Sequence, residues 1–392
     1  MEDIVVHIPQ NARDIMQTIE DAGFEAWVVG GAVRDAVMGV DPHDIDICTS
    51  ATPEEIASTF SGWHVISTEN SRANGTYTVM VNGVGYEVTA FRAESGYTDH
   101  RNPDRVEFGV TIHEDASRRD YTIGCIYADA HGNIYDPFDG VSDIRNGIIR
   151  AVGSAHARIN EDYHRMTRGI RFASRYGFAV DPDVVQAIAY NAHRIVQISG
   201  ERIWSEFAQI ICAPHVARHV DMINNVMQFV IPNIHRVDWQ RVSNAPQNVA
   251  VRFGMIMAYA GITGDQVRPI ARRMACENDM IAQVRAIVDY VGVEYSTRSD
   301  VRVGVFHAGQ NFWYVAQAII GMFDNYYPAN MHVQIQYDDD CVSIAQIIVD
   351  GNEIRSMGYE GVEIGRVQRN IMHAIMNDII PNERNAIMSR EW

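Results

Sequence analysis

Neither leucine nor lysine occurs anywhere in this chain of 392 residues, and all 32 of its basic side chains are arginine. Both missing types are normally among the commonest residues, and chance does not remove them from so many positions. The constraint falls first on the core, which Ile, Met and Val must fill in place of Leu. They are apolar enough, although β-branched residues are somewhat poorer helix formers. A hydrophobic content of 47% still allows a large interior, and the length suits two to four domains. Two origins fit such a composition: a gene free of both codon sets, translatable where the cognate tRNAs are depleted, or a deliberately reduced alphabet.

With 21% charged and 9% aromatic residues, the chain is of ordinary globular type rather than disordered. Met1-Glu2-Asp3 is acidic and no apolar h-region follows it, so no secretory signal is evident. No apolar run approaches the roughly 18–20 residues that cross a bilayer. The chain reads as soluble and cytoplasmic, and nothing in it points to a protein partner. Five scattered cysteines, without a CxxC pair or a Cys/His cluster, argue against a disulfide framework or a zinc knuckle. The net charge of −18 discourages a nucleic-acid partner only as a sum, because binding depends on where the cations sit. Thirteen of the arginines fall between Arg101 and Arg202, which makes that stretch the candidate RNA-facing surface.

The pattern changes along the chain. In the first 150 residues, Ala26–Val29 reads as a strand ending at Gly30-Gly31, Ala32–Met38 as a helix and Ile45–Thr49 as a second strand. Thr76–Val81 and Gly85–Phe91 alternate apolar and polar residues across Asn82-Gly83, a strong hairpin signal. Tyr121–Tyr127 reads as a further strand before a turn at His131-Gly132. This predicts an α+β domain with a small mixed sheet, not a doubly wound one. From about Asn160 the spacing becomes helical, as in Met166, Ile170, Ala173 and Tyr176. Val251–Tyr259, Ile281–Val291, Val342–Val349 and Ile364–Ile380 repeat it, with breaks at Gly177, Pro232, Gly261–Gly264 and Pro328. The remaining residues are therefore expected to form all-helical bundles.

The densest chemical signal is Gly30-Gly31-Ala32-Val33-Arg34-Asp35 followed by Asp44-Ile45-Asp46. Two glycines between a strand and a helix let the backbone approach a phosphate, and a helix N-terminus favours its charge. Asp44 and Asp46, two apart on the expected strand, point to one face. Side by side, two carboxylates repel unless a cation lies between them, and Mg²⁺ prefers such oxygen ligands. Glu87 adds a third carboxylate if its strand is adjacent. An isolated pair of this kind is as readily a solvated strand end; the glycine loop and the motifs downstream shift the balance to function.

The segment GGAVRDAVMGVDPHDIDICTSATPEE resembles the signature of class II tRNA nucleotidyltransferases and bacterial poly(A) polymerases. The resemblance continues through SRRDYTIGCIYAD, YDPFDGVSDIRNGIIRAVG, EDYHRMTRGIRFASRYGF and GERIWSEF, and more softly through the helical half. It is similar in this to bacterial CCA-adding enzymes, and implies a nucleotidyltransferase head over residues 1–150, a neck over 151–215, a body over 216–300 and a tRNA-binding tail over 301–392. The implied activity is template-independent addition or repair of the tRNA 3′-terminal CCA from CTP and ATP. A poly(A) polymerase, a partial adder or a catalytically impaired tRNA-binding protein are the alternatives.

The resemblance also implies roles. Asp44 and Asp46, with Glu87 beside them, would hold two Mg²⁺ ions. Gly30, Gly31 and Arg34 would cradle the triphosphate, Asp35 would belong to the same nucleotide-binding set, and Arg119 and Asp120 would position phosphates and sugar. Asp162 and Arg165 would read the base, with Arg168 orienting them. Their spacing of three suits one face of a helix. A carboxylate only accepts and a guanidinium only donates. Together they match the amino group and unprotonated ring nitrogen shared by cytosine and adenine, whereas uracil and guanine present the reverse polarity. Alone, the same spacing is an ordinary surface ion pair. Glu94–Pro103, with Asp99 and Arg101, resembles the flexible loop that full CCA-adding enzymes use to change from CTP to ATP. Gly124 stands where the family usually has Asn, near the sugar. His43-Asp44 is the one His-Asp dipeptide, and no further set resembling an HD phosphohydrolase accompanies it.

Overall fold

A computed structural model of the chain describes residues 5–42 and 44–392. The acidic Met1-Glu2-Asp3 terminus and His43 therefore lie outside the described residues. The chain divides into two compact units, Met1–Phe229 and Val230–Trp392.

In the first unit, β1 (Ala26–Val29), β2 (Asp46–Thr49), β3 (Val65–Ile66), β4 (Thr76–Val81) and β5 (Val84–Ala90) form most of one sheet. A separate hairpin of β6 (Arg92–Ser95) and β7 (Arg105–Phe108) follows, and then β8 (Tyr127–Ala128) and β9 (Ile134–Tyr135) complete the main sheet. Its order among the described residues is β3-β4-β5-β2-β1-β8-β9. All neighbours are antiparallel except β2 and β5, which run parallel. The fold is therefore α+β with a mixed sheet, as the pattern of elements predicts.

The β4–β5 turn shows how local chemistry fixes register. Asn82 and Gly83 take φ of 52° and 81°, the double left-handed geometry whose twist matches a tight hairpin. Val81 then pairs with Val84, and alternation buries Tyr86, Val88 and Ala90 while leaving Glu87 exposed. The parallel β2–β5 register sets Glu87 directly opposite Asp46. Val29, Cys48, Phe91, Ala116, Cys125, Tyr127 and Val152 make one leucine-free apolar cluster behind that edge.

Three sequence expectations need correction. β2 begins at Asp46, so Asp44 precedes the strand instead of lying on it. Most of Tyr121–Tyr127 is not extended: Thr122–Gly124 is a 3₁₀ turn and β8 starts only at Tyr127. The Asp120 carboxylate accepts from the Tyr121 amide, and the Gly124 and Cys125 amides bond back to the Tyr121 and Thr122 carbonyls, which satisfies the backbone without a ladder. Val342–Val349 contains only a 3₁₀ turn at Ile344–Gln346, because the Gln346 side chain accepts from the Val342 amide and the Ser343 hydroxyl.

Helices Ala155–Glu161, His164–Tyr176, Pro182–Asn191 and Gly200–Cys212 complete most of the first unit, with a short parallel pair, β10 (Ile148–Ile149) and β11 (Ala179–Val180). The second unit is helical. Val249–Tyr259 runs through its interior, and Gly254 lies so close to Ile287 of the Asn278–Tyr290 helix that no Cβ fits between them. Ile354, Val367, Ile371, Met372 and Ile387 centre a further cluster near the C-terminus, again without leucine. Among the described residues no helix is long and apolar enough to cross a membrane.

Candidate active site

β1 ends at Gly30, whose φ of 72° turns the chain from the sheet into the helix Gly31–Val37. Few residues but glycine adopt that conformation cheaply. The turn presents Gly30 and Gly31 on the wall of a cavity of about 510 Å³ within the first unit. Asp46, Arg34, Arg119, Asp120, Asp162, Arg165, Arg168 and, from the β6–β7 connection, Arg101 stand on the same wall. Asp35, Asp44, Glu87 and Asp99 do not line it. The sequence-predicted residues thus converge on one cavity, four of them from just outside it.

Charge is distributed there quite unlike the chain as a whole. Eight arginines line the cavity (Arg34, Arg92, Arg101, Arg118, Arg119, Arg165, Arg168 and Arg202) against four carboxylates, Asp46, Glu94, Asp120 and Asp162. A chain of net charge −18 therefore carries a positive cleft suited to a polyphosphate. Arg34 and Arg92 extend the basic surface beyond the Arg101–Arg202 stretch.

The guanidiniums are held in place by a network. Asp115 is buried and accepts from both Arg118 (2.7 Å) and Arg119 (3.0 Å). Burial alone would raise its carboxyl pKa, but Arg119 and then Arg118 hold it down at about 2. Glu94 bridges Arg92 and Arg118 at 2.7 and 3.1 Å and accepts from the Tyr97 hydroxyl. Arg34 donates twice to Asp35, and its guanidinium lies over Phe172 and Tyr176 at 5.6 and 5.1 Å. Arg168 donates to Asp120 at 2.5 Å. Such a preorganised array presents N–H groups without reorienting long side chains at the moment of binding.

Asp46 has the opposite character. It is solvent-accessible at the rim, yet its carboxyl pKa is raised by the surrounding protein, then by Glu87 and Asp44, against the pull of Arg119. Clustered carboxylates with a raised pKa are a donor set that a hard cation relieves. Among the described residues no three carboxylate, His or Cys side chains form a ready cage. Mg²⁺ does not require one, since it usually takes one or two carboxylates and completes its shell with water and substrate phosphates.

Asp162 and Arg165 share the cavity wall, but not for the reason their spacing suggests. Asp162 is extended (φ −141°, ψ 107°), in the break between the helices Ala155–Glu161 and His164–Tyr176. Among the described residues their side chains form no ion pair with each other, and the bond between them is from the Arg165 amide to the Asp162 carbonyl at 3.0 Å. Arg165 donates to Glu161 at 2.5 Å and to the Arg158 and Arg118 carbonyls. Asp162 accepts from the His164 amide and, at 2.5 Å, from Arg202 of the Gly200–Cys212 helix. His164, buried beside them, has its pKa lowered to about 4 by burial and by Arg202, so the ring is neutral at physiological pH. Its Nε2 lies 3.2 Å from the Arg202 carbonyl. Sequence reasoning missed Arg92, Arg118, His164 and Arg202. The doubled arginine of the 118–119 pair and the GERIWSEF segment were the available signals.

Comparison with known proteins agrees with this geometry. Residues 26–150 match the family model described as a poly A polymerase head domain, and residues 177–237 one described as a probable RNA and SrmB-binding site of polymerase A. The chain is 33% identical to the CCA-adding enzyme of Pediococcus pentosaceus, over 97% of this chain and 96% of that one. It is 32% identical to the CCA-adding enzyme of Lactobacillus helveticus, over 96% and 95%. Its fold is similar to the crystal structure of the Bacillus stearothermophilus CCA-adding enzyme in complex with CTP, with a TM-score of 0.80 and 27% identity over 97% and 95% of the two chains.

Proposed function

The chain belongs to the CCA-adding enzymes, the tRNA nucleotidyltransferases, and we propose that the arginine-lined cavity of its first unit is where CTP and ATP are joined to the tRNA 3′ end. The activity is template-independent completion or repair of the 3′-terminal CCA, and poly(A) polymerase or partial addition is not favoured. The observation that carries the site assignment is the single positive cavity on which Gly30, Asp46, Asp162 and Arg165 all stand. We place the enzyme in the cytoplasm. We divide it into a head (1–150), a neck (151–215), a body (216–300) and a tRNA-binding tail (301–392).

In the reaction the tRNA 3′-oxygen bonds to the α-phosphorus of the NTP and the bond to the bridging oxygen of the β-phosphate breaks, releasing pyrophosphate. Asp44 and Asp46 would hold two Mg²⁺ ions, which neutralise phosphate charge and favour the ionised hydroxyl when bound. Glu87 adds negative potential beside Asp46. The Gly30-Gly31 backbone lets the triphosphate approach, and Arg34 and Arg119, anchored by Asp35 and Asp115, hold its oxygens. Asp162 keeps lone pairs beyond those used by His164 and Arg202, and it accepts the exocyclic amino group of C or A. Arg165 donates to the ring nitrogen. Uracil would set carbonyl oxygen against carboxylate.

The decisive assay extends three tRNA transcripts, ending before CCA, after C and after CC, with each NTP and Mg²⁺. Two C's and then one A, with UTP and GTP refused, is expected. Continued A addition would indicate a poly(A) polymerase, and tRNA binding without incorporation an impaired protein.

Gly124 gives a subtler prediction. A Cβ built there meets nothing nearer than Asp120 Oδ1 at 3.9 Å, so the cavity wall has room for a side chain. Gly124→Asn is expected to fold normally and to raise the preference for CTP over dCTP by about threefold or more, the worth of one added hydrogen bond. Steady-state kcat/KM for the two substrates checks this, and an unchanged ratio would remove Gly124 from the sugar's surroundings.

A further inference from the structure

We propose that His100 is a positioning residue for base selection, fastening the loop between β6 and β7 to the Asn160 carbonyl and the Tyr163 ring on either side of Asp162. The inference rests on the assignment of Asp162 and Arg165 as the base-reading pair. The loop supplies Tyr97, Arg101, Asn102 and Pro103 to the same cavity as Asp162 and Arg165.

Internal bonds give the loop a defined shape. The Asp99 carboxylate accepts from the Arg101 and Asn102 amides, and Asp104 accepts from the Thr98 hydroxyl. At the tip His100 takes a left-handed φ of 54°, which is uncommon outside glycine and aims its ring away from the loop. That ring stacks on Tyr163 with centroids 4.6 Å apart and an interplanar angle of 29°. Its Nδ1–H donates to the Asn160 carbonyl at 2.5 Å. The Tyr163 ring is itself 2% exposed, so the loop leans on a fixed surface.

Asn160 and Tyr163 flank the pair Glu161-Asp162. Asp162 has left the helix, and its amide is 3.5 Å from the Arg158 carbonyl, at the limit of a hydrogen bond. The preceding helix therefore holds it weakly, and on the other side its carbonyl and carboxylate accept from the Arg165 and His164 amides. The His100 clasp steadies it from the loop side while Arg202 holds the carboxylate from the other. One contact thus sets two quantities, the aim of the Asp162 carboxylate and the distance from it to the loop wall. Both bear on which base edge fits, more than on the transfer of phosphorus.

The test uses the full-length enzyme with His100→Asn, which tolerates the left-handed backbone but removes the ring. Incorporation of CTP and UTP on tRNA lacking CCA gives the two kcat/KM values, and limited trypsin digestion reports access to the Arg101–Asn102 bond. The CTP:UTP ratio is expected to fall about three- to tenfold, the loss of one aromatic pair, with faster cleavage after Arg101 and an unchanged melting temperature. An unchanged ratio overturns the proposal, and so does a lowered ratio without faster cleavage, since the loop would then not be fastened by His100. Should the wild type itself accept UTP freely, the base-reading assignment falls first and the clasp with it.

Discussion

Asp46→Asn is expected to lower nucleotide addition by at least about 10³-fold while leaving the protein folded and able to hold tRNA, because the cation-assisted phosphoryl chemistry loses its ligand. The two halves of this expectation separate a metal ligand from a structural acid. Asp115 is the contrast: buried, pinned between two arginines and holding its proton only near pH 2. Its removal would leave Arg119 without its carboxylate and Arg118 with that of Glu94 alone, and cost stability. Asp46 is accessible, makes no ion pair within the described residues, and has a pKa raised by its surroundings, by Glu87 and by Asp44. An acid whose folded pKa is raised loses stability as pH climbs through that pKa, because the folded state must then release a proton that it holds more tightly than the unfolded one. The Asn variant should therefore melt at the wild-type temperature or slightly above it at pH 7 without Mg²⁺. Asp44→Asn should behave alike, and Glu87→Gln more mildly, since Glu87 acts on Asp46 across the β2–β5 register. Single-turnover incorporation beside thermal denaturation measures both halves. A variant that keeps more than about a tenth of the activity, or melts several degrees lower, would make Asp46 a structural residue.

Much of this arrangement was legible beforehand because it depends on local chemistry. Asn82-Gly83 dictated its hairpin, the alternation in β5 dictated which way Glu87 faces, and Gly30 marked the sharp exit from β1. The strand adjacency that brings Glu87 to Asp46 was conditional in the sequence, because a parallel pairing 41 residues apart leaves no local signature. Asp162 and Arg165 do stand on one cavity wall, though not through the helical spacing that first suggested it. Periodicity treats 160–176 as one helix, yet the chain breaks at Asp162, where the aspartate bonds the His164 amide instead of continuing the ladder. GERIWSEF marks the segment of Arg202 but not its partner, which lies 40 residues away at Asp162, and the role of Asp115 depends on its burial. The absence of leucine, so visible in the sequence, hardly marks the fold. Ile, Val and Met occupy the interiors of both units, which agrees with the tolerance of cores for apolar side chains of similar volume.

Asp162 stands in the break between two helices, its carboxylate held by Arg202 and the His164 amide and not by Arg165. Asp162→Asn is expected to reduce the CTP:UTP ratio of kcat/KM by at least about 10²-fold, because rejection of a base by unpaired buried polar groups is worth far more than rejection by shape. A carboxylate offers only acceptors, so a uracil carbonyl placed against it is repelled; a carboxamide offers a donor as well and can turn to satisfy either base. The Arg202 bond reinforces this. It accounts for one carboxylate oxygen and ties the carboxylate to the Gly200–Cys212 helix. Arg202→Ala should therefore weaken discrimination less than Asp162→Asn, because the carboxylate keeps its acceptors and loses only one of the groups that hold it in place. Arg165→Ala differs in kind. Its guanidinium also ties Glu161 to the Arg118 and Arg158 carbonyls, so it should lower kcat/KM for CTP and ATP together. The measurement is incorporation of all four NTPs by the three variants on tRNA ending before CCA. If Asp162→Asn keeps the wild-type ratio, the base is read elsewhere on the cavity wall. An Arg202→Ala variant that keeps the wild-type ratio would mean that the His164 amide suffices to orient the carboxylate.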